Sequence, residues 1–379
     1  MRIKFLFLTL RVFSATGGIE KVCRVAGKAL YELGLQHGGR VKIFSMYGPK
    51  GKADGNRYFP QLLFKGFGGK RIRNVMGSLI AGRKSQVVIM SHINLLMVGW
   101  MIKKFRPSIK LVLLAHGIEV WNPLSPRVRK MLHRCDLILP VSRFTRERMI
   151  ALHGIPEERL VVINNCLDPF LEKPLYEGKS LTLLERYGLM DKQCILLTVS
   201  RMVDTERYKG YDKVVQALPA LIQRFPDIRY LMVGKYDEAE KGRLDEMIGQ
   251  LGLSNFVTFT GMVPDTELAE HFLLADIFVM PSEKEGFGIV FIEAMFYGLP
   301  VIAGNRDGSV DALLNGEMGI LVDPDNVPQL SEAVEKILDN REAFLPDQEK
   351  LLKHFGYPQY KAKFKAVFEG LMDNWVMDN

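Results

Sequence analysis

Short apolar runs alternate with stretches of helical period along the whole chain. A short apolar run bounded by polar or turn residues suits a strand covered on both faces, and a stretch with apolar residues at every third or fourth position suits a helix laid over it. In the first half the runs are Ile3 to Leu10, Val41 to Ser45, Val87 to Met90, Leu111 to Ala115, Leu137 to Val141 and Val161 to Ile163. The second half repeats the scheme with Ile195 to Ser200, Tyr230 to Gly234, Val257 to Thr260, Ile277 to Met280 and Pro300 to Ala303. The alternation predicts an α/β chain with two doubly wound parallel sheets. Asp168 to Ser180, with two prolines, a glycine and several charges, reads as the linker between them. The expected domains are residues 1–170 and 171–359. A last helix within 360–379, with Phe364, Val367, Phe368 and Leu371 on one face, is expected to dock back on either domain, the first included.

At 379 residues the chain is long enough for two cores of ordinary size. Its 47% hydrophobic and 25% charged residues exclude disordered, collagenous and coiled-coil classes. The apolar run Val87 to Ile102 is interrupted by Ser91, His92 and Asn94 and is shorter than the roughly 20 residues that cross a bilayer, so no transmembrane helix is predicted. The run Phe5 to Leu10 lacks the length and cleavage site of a signal peptide. The cysteines at 23, 135, 166 and 194 form no C-x-x-C pair, so neither a zinc site nor a disulfide framework is expected, and the chain reads as cytoplasmic.

Charge changes this picture more than composition does. The net charge is +8, yet residues 1–180 hold 31 Lys and Arg against 11 Asp and Glu, while 181–379 hold 20 against 32. The first half is thus expected to face something anionic. Lys65 to Lys84 carries six basic residues and no acid, with Ile72, Val75, Met76, Leu79 and Ile80 at the spacing of one helical face. Such a helix either lies in a membrane interface or packs on the core with a solvated basic back. Lys103, Lys104, Arg106, Lys110, Arg127, Arg129 and Lys130 extend the positive surface. A nucleic-acid partner is not expected, because the aromatic interleaving of such surfaces is missing.

Open α/β sheets bind ligands beyond the carboxyl ends of their strands, so the residues following each run are the candidates for chemistry. Leu111 to Ala115 is followed by His116-Gly117-Ile118-Glu119, Ile195 to Val199 by Ser200-Arg201, and Ile277 to Met280 by a segment ending Glu285-Gly286-Phe287-Gly288. Gly286 and Gly288 allow close backbone approach, and the helix that starts there offers free N–H groups to an anion. Glu285 precedes that helix and Glu293 lies inside it. Two carboxylates flanking one anion site suit a molecule with a central diphosphate and hydroxylated rings on each side; a solvated acidic loop with Glu293 capping its helix is the plain alternative. Arg201 and Lys209 supply two cations that can grip phosphate, or else belong to a solvated face with Arg207 and Lys213. Thr16-Gly17-Gly18-Ile19-Glu20 after the first run is a glycine turn, but neither G-x-G-x-x-G nor a Walker sequence. Asp323-Pro324-Asp325 reads as a turn and helix cap.

These pieces together resemble a known family. Glu285-x7-Glu293 followed by Ala-Met and Gly-x-Pro-Val, Arg201 with Lys209-Gly210, Gly17-Gly18 and His116 are similar to the retaining GT-B glycosyltransferases of family 4, over residues 15–325. His116-Gly-x-Glu119 and Arg127 to Arg134 look most like bacterial members of the phosphatidylinositol mannosyltransferase kind. The resemblance implies two Rossmann-like domains facing each other across a cleft, and transfer of a hexose from GDP-mannose or a UDP-sugar to a lipid-linked or glycan-precursor acceptor at an anionic membrane surface. It further implies that Arg201 and Lys209 hold the donor diphosphate, that Glu285 and the amides of Gly286, Phe287, Gly288 and Ile289 contact sugar and phosphate, and that Glu293 binds the ribose. Gly17 and Gly18 are implied beside the phosphates, His116 near the reacting carbon and Glu119 on the acceptor side, with no metal or other cofactor. Three departures stand out: Asn165-Cys166 in place of Asn-Gly, Asp307-Gly-Ser-Val-Asp311 in place of Gly-Gly-x-Pro-Glu, and a longer segment between Arg201 and Lys209. A sugar-nucleotide epimerase or hydrolase on the same fold, and a basic membrane adaptor, are the competing readings.

Overall fold

Where the apolar runs lie between glycine or polar breaks, they pair as parallel strands. The computed structural model describes residues 3–14, 17–51, 53–174 and 178–377. The chain divides into two compact units, residues 1–169 with 357–379, and residues 170–356.

Unit 1 is a six-stranded parallel sheet of β1 (Lys4–Thr9), β2 (Arg40–Ser45), β3 (Phe64–Gly66), β4 (Val87–Met90), β5 (Lys110–Ala115) and β6 (Leu137–Pro140). Its helices are α1 (Gly18–Gln36), α2 (Arg71–Gly82), α3 (Leu96–Phe105), α4 (Pro126–Leu132) and α5 (Arg143–His153). Unit 2 repeats the plan with β7 (Cys194–Val199), β8 (Ile228–Val233), β9 (Val257–Gly261), β10 (Ile277–Met280), β11 (Val301–Gly304) and β12 (Ile320–Val322). Around it lie α6 (Leu181–Tyr187), α7 (Tyr211–Arg224), α8 (Glu238–Gln250), α9 (Asp265–Leu274), α10 (Ile289–Phe296), α11 (Ser309–Ala312), α12 (Val327–Asp339) and α13 (Gln348–Phe355). The last helix, α14 (Tyr357–Met377), belongs to unit 1.

The strand orders are β3-β2-β1-β4-β5-β6 and β12-β11-β10-β7-β8-β9. Read from the matching edge they are the same order, which reverses once, between β1 and β4 in one unit and between β7 and β10 in the other. Both faces of each sheet are covered, so the strands are apolar throughout. Leu6, Leu8, Val88, Met90, Leu111 and Leu113 meet α2 to α5. Leu196, Tyr230, Met232, Ile277, Val279 and Ile302 meet Val214, Leu218 and Leu221 of α7 and Leu330 and Val334 of α12. Each such burial contributes about 1.5–3 kcal/mol, which fixes the strand ends relative to one another.

The structure departs from the sequence pattern in four places. Val161 to Ile163 is not a strand: Leu160 makes an isolated bridge to Ile138, and the N–H groups of Val161 and Ile163 reach Ile138 O at 3.1 Å and Pro140 O at 3.0 Å. Pro140 has no N–H to return the bond that would extend the ladder. The edge strands β3 and β12 have only three residues each, too few to stand out as runs. The basic helix begins at Arg71, with Lys65 in β3, and its apolar stripe splits: Val75 and Leu79 pack on the core, whereas Ile72, Met76 and Ile80 are 82%, 55% and 61% exposed. The cap of α12 is Asn326, while Asp323 and Asp325 bind Arg306, each at 2.5 Å.

Candidate active site

In unit 2 the residues singled out by sequence gather where the strand order reverses. β7 ends in Ser200-Arg201, and a 3-10 turn at Asp204–Lys209 carries the chain to α7. β10 ends in the loop 281–288, which opens α10 with Gly288 at its N-cap. The two loops interlock. Gly210, at φ +76°, sits so close to Pro281 that a Cβ there would lie 2.3 Å from its carbonyl oxygen, and the Glu283 N–H donates to Tyr208 O at 2.8 Å. Only glycine fits that approach.

Lys209, largely buried, is ion-paired with the Glu285 carboxylate. Burial pulls the Lys209 pKa down, but the adjacent Glu285 charge and hydrogen bond outweigh it and hold the ammonium above its ordinary value. Arg201 is exposed and its Nη2 lies 2.5 Å from Glu206 Oε1. Tyr208, between them, feels both cations as well as Glu206 and Glu285. Arg207 is exposed, as on the solvated face of the plain alternative, yet its Nε donates to the wholly buried Glu240 at 2.7 Å, joined there by Arg243 and by Tyr211 Oη at 3.0 Å. This network anchors the lengthened segment between Arg201 and Lys209. Gly286, Phe287 and Gly288 are buried, with the Phe287 ring edge-on to Phe355 at 5.6 Å, so the loop presents backbone rather than this side chain. The N–H groups of Ile289 and Val290 precede the first bond of α10, which runs from the Phe291 N–H to Gly288 O at 3.0 Å, and lie at its positive dipole end. Glu293, one turn in, is 5% exposed.

In unit 1 a second set gathers beyond β1, β4 and β5. Gly17 is the extended N-cap of α1 and Gly18 its first residue, exposed; Thr16 lies outside the described residues. His116 Nε2 lies 2.7 Å from Ser91 O, and the His116 N–H donates to Glu119 Oε1 at 2.6 Å. Pattern reading passed over His92, whose Nδ1 accepts from Asn94 N–H at 3.1 Å. Burial lowers the His92 pKa, with Glu119 and Glu20 opposing and His116 adding to the shift, so a neutral imidazole sits among these groups at neutral pH. It too follows a strand end, but with Ser91 and Asn94 it reads in the sequence as part of an interruption of the run Val87 to Ile102 rather than as a site.

Two open parallel sheets of one strand order, each with polar loops beyond its carboxyl ends, define the class: this is the GT-B fold, with two Rossmann-like domains. The chain belongs to the glycosyltransferases of group 1 and family 4. Residues 16–169 match the family model "Glycosyltransferase Family 4" and residues 182–357 the model "Glycosyl transferases group 1". Among curated relatives, the GDP-mannose-dependent alpha-(1-6)-phosphatidylinositol monomannoside mannosyltransferase of Mycolicibacterium smegmatis is 34% identical over 60% of this chain and 61% of its own length. The alpha-D-kanosaminyltransferase of Streptomyces kanamyceticus is 28% identical over 56% and 54%. The chain thus spans about three fifths or less of the length of these relatives. Anabaena HepE, solved with UDP-glucose, superposes with a TM-score of 0.77 at 20% identity, over 97% of this chain and all of that one. Sucrose-phosphate synthase of Thermosynechococcus elongatus does so at 0.74 and 20%, over 98% and 100%. Both share the fold.

Proposed function

We propose that the chain is a retaining glycosyltransferase that moves a hexose from a nucleoside-diphosphate sugar to a lipid-linked or glycan-precursor acceptor. The observation that carries this reading is the convergence of Arg201, Lys209 and the loop opening α10 at the switch point of the second sheet. Breaking the bond between the anomeric carbon and the donor phosphate leaves positive charge on the sugar and negative charge on the diphosphate. Fixed cations and a helix N-terminus at that phosphate lower the barrier. The acceptor oxygen bonds to the anomeric carbon, the electron pair of the broken bond leaves with the diphosphate, and the acceptor proton passes to a leaving phosphate oxygen. Arg201 and Lys209 take the diphosphate, Glu285 the donor-sugar hydroxyls, the amides of Gly286 to Ile289 sugar and phosphate, and Glu293 the ribose. With these groups carrying the charge, no metal is required. His116 and Glu119 are read as serving the reacting sugar and the acceptor. GDP-mannose is the leading donor, since the Mycolicibacterium relative is a GDP-mannose-dependent mannosyltransferase, and a UDP-sugar is the second.

The acceptor reading draws on the surface of unit 1. No Asp or Glu occurs between Asp54 and Glu119, a stretch that contains α2 and α3, and α4 has none either. The three helices pack side by side. They expose Ile72, Met76, Ile80, Met97 and Phe105 beside Arg71, Arg73, Arg83, Lys104, Arg127 and Lys130. Arg73 and Lys50 crowd Lys70 and lower its pKa, the mark of a positive field short of counter-charge. Apolar tips among cations suit the interface of an anionic bilayer. No helix among the described residues is long and apolar enough to cross a membrane, and we assign a peripheral position on the cytoplasmic leaflet.

A thermal-shift series of the full chain with GDP-mannose, UDP-glucose and related donors tests the core of this reading, because a ligand of the folded state raises the melting temperature. Arg201→Ala is expected to fold normally and lose both the shift and transfer. Full transfer by Arg201→Ala and Lys209→Ala would sink the phosphate assignment, and rapid turnover without any acceptor would favour a hydrolase.

A further inference from the structure

We propose that Asp307 is a positioning residue that sets the backbone of Glu285 for donor binding, an inference that rests on the donor site assigned above. β11 delivers Asn305 to Ser309 beside the loop 281–288, and Asp307 is 1% exposed there. Its Oδ2 accepts from the Glu285 N–H at 2.6 Å and from Ser282 Oγ at 2.9 Å; its Oδ1 accepts from the Ser309 N–H at 2.9 Å. Gly308 grips the other side of Glu285. Its N–H donates to Glu285 O at 2.8 Å, and a Cβ on it would lie 2.0 Å from Gly286 O. The residue whose carboxylate holds Lys209 is therefore fixed at both its N–H and its C=O by the turn that departs from Gly-Gly-x-Pro-Glu.

Two of these partners are backbone N–H groups, which can only donate, and with the Ser282 hydroxyl donating to the same oxygen the arrangement favours the ionised carboxylate. An amide would set its NH2 against the Glu285 or the Ser309 N–H, and a protonated acid would have to turn the Ser282 hydroxyl round to accept. The charged groups on the surrounding elements are Glu285 with its partner Lys209, Glu283 and Lys284 on the same loop, Asp311 on α11, and Arg306, which turns instead to Asp323 and Asp325. Burial, reinforced by the Glu285 charge and opposed by the hydrogen bonds from Ser309 and Glu285, pushes the Asp307 pKa up to about 6. Its protonation accordingly falls within a range that binding measurements reach.

The experiment is calorimetric binding of GDP-mannose and UDP-glucose to the full chain from pH 5 to 8, a range in which the diester phosphates of these donors do not titrate. Asp307→Asn is expected to weaken donor binding about tenfold at pH 8, which corresponds to one lost hydrogen bond to a charged group. Wild-type affinity is expected to fall as the pH drops through about 6, and the variant to show no such fall. In kinetics the loss should appear in the donor KM more than in kcat, a split that a general loss of stability would not produce. Binding by Asp307→Asn within twofold of wild type at pH 8, or a wild-type affinity flat across the range, overturns the proposal. If Asp307→Asn does not fold, the wild-type pH series decides alone. Arg201→Ala separates the two failures. If that variant loses affinity while Asp307→Asn keeps it, only the Asp307 role falls; if wild type binds neither donor, the donor site falls with it.

Discussion

Lys209 and Arg201 are cations of different kinds, although each is met by a carboxylate. Lys209 is sunk against Glu285 and acts as a fixed point charge; Arg201 reaches out into solvent with a planar fork that pairs bidentately with phosphate. Removing Lys209 strands a poorly solvated Glu285, so Lys209→Ala is expected to lower stability as well as activity, whereas Arg201→Ala should spare stability. Glu240 makes the complementary case for pure structure. Burial pushes its pKa up, but hydrogen bonds from Arg243, Arg207 and Tyr211 outweigh this and hold the folded value below the ordinary 4.5. A depressed folded value means that its contribution is complete above pH 4.5 and fades as the pH falls through the lower folded value. Glu240→Gln should therefore cost about 2 kcal/mol at pH 7, with the gap to wild type closing in acid, as urea melts at the two pH values would read. A gap that persists unchanged below pH 4 would mean the carboxylate charge is not what matters. Arg201 and Glu285 are legible in the sequence as candidates because each lies on the loop after an apolar run, and Lys209 because it stands just before a helical stretch. Asp307 also follows an apolar run, but two of its partners, the Glu285 N–H and the Ser282 hydroxyl, come from another loop, and no spacing within its own segment reveals them.

The elements were legible in proportion to their burial. Central strands such as β1, β4 and β10, apolar at every position except Lys4 and Thr9 at the ends of β1, stand out within a residue or so of their ends. The three-residue edges β3 and β12 bury too little to leave a signature, and Pro140 keeps a seventh strand from joining the first sheet for want of one N–H. The helical period over 65–84 located α2 but did not fix its inner face. Val75 and Leu79 turn inward, so the stripe at Ile72, Met76 and Ile80, four residues apart, is left for another surface. These three side chains contribute little to the fold of unit 1, and replacing all of them with serine should leave its melting temperature nearly unchanged. The same triple variant should lose most of its binding to phosphatidylserine-containing vesicles in a flotation assay, since each apolar side chain buried in the interface is worth about 1 kcal/mol or more. Vesicle binding equal to wild type would remove α2 from the membrane assignment.

At the scale of the whole molecule, the chain completes unit 1 only after unit 2 has been built. Residues 170–356 form their own unit, and the chain then returns through α14. Tyr360, Phe364 and Phe368 of that helix are 5%, 1% and 0% exposed, and Phe368 meets Phe5 of β1 edge-on at 5.6 Å. An ion pair of Lys361 with Glu32 at 2.9 Å ties the helix to α1, and a Glu369 carboxylate oxygen lies 3.1 Å from Nε2 of His37, the C-cap of α1. Deleting 357–379 strips several large side chains from the core of unit 1 and leaves the donor residues of unit 2 untouched. Large-to-small changes at such positions cost about 3–5 kcal/mol each, so the loss of the helix should lower or abolish the melting transition of unit 1. The transition of unit 2 should remain, and GDP-mannose or UDP-glucose should still raise it, because the gain depends only on affinity for that folded unit. Scanning calorimetry of the truncated chain with and without donor reads both quantities. Loss of the ligand-dependent transition together with unit 1 would mean that Arg201, Lys209 and the loop 281–288 do not bind the donor by themselves. Its survival would assign donor recognition to unit 2 alone.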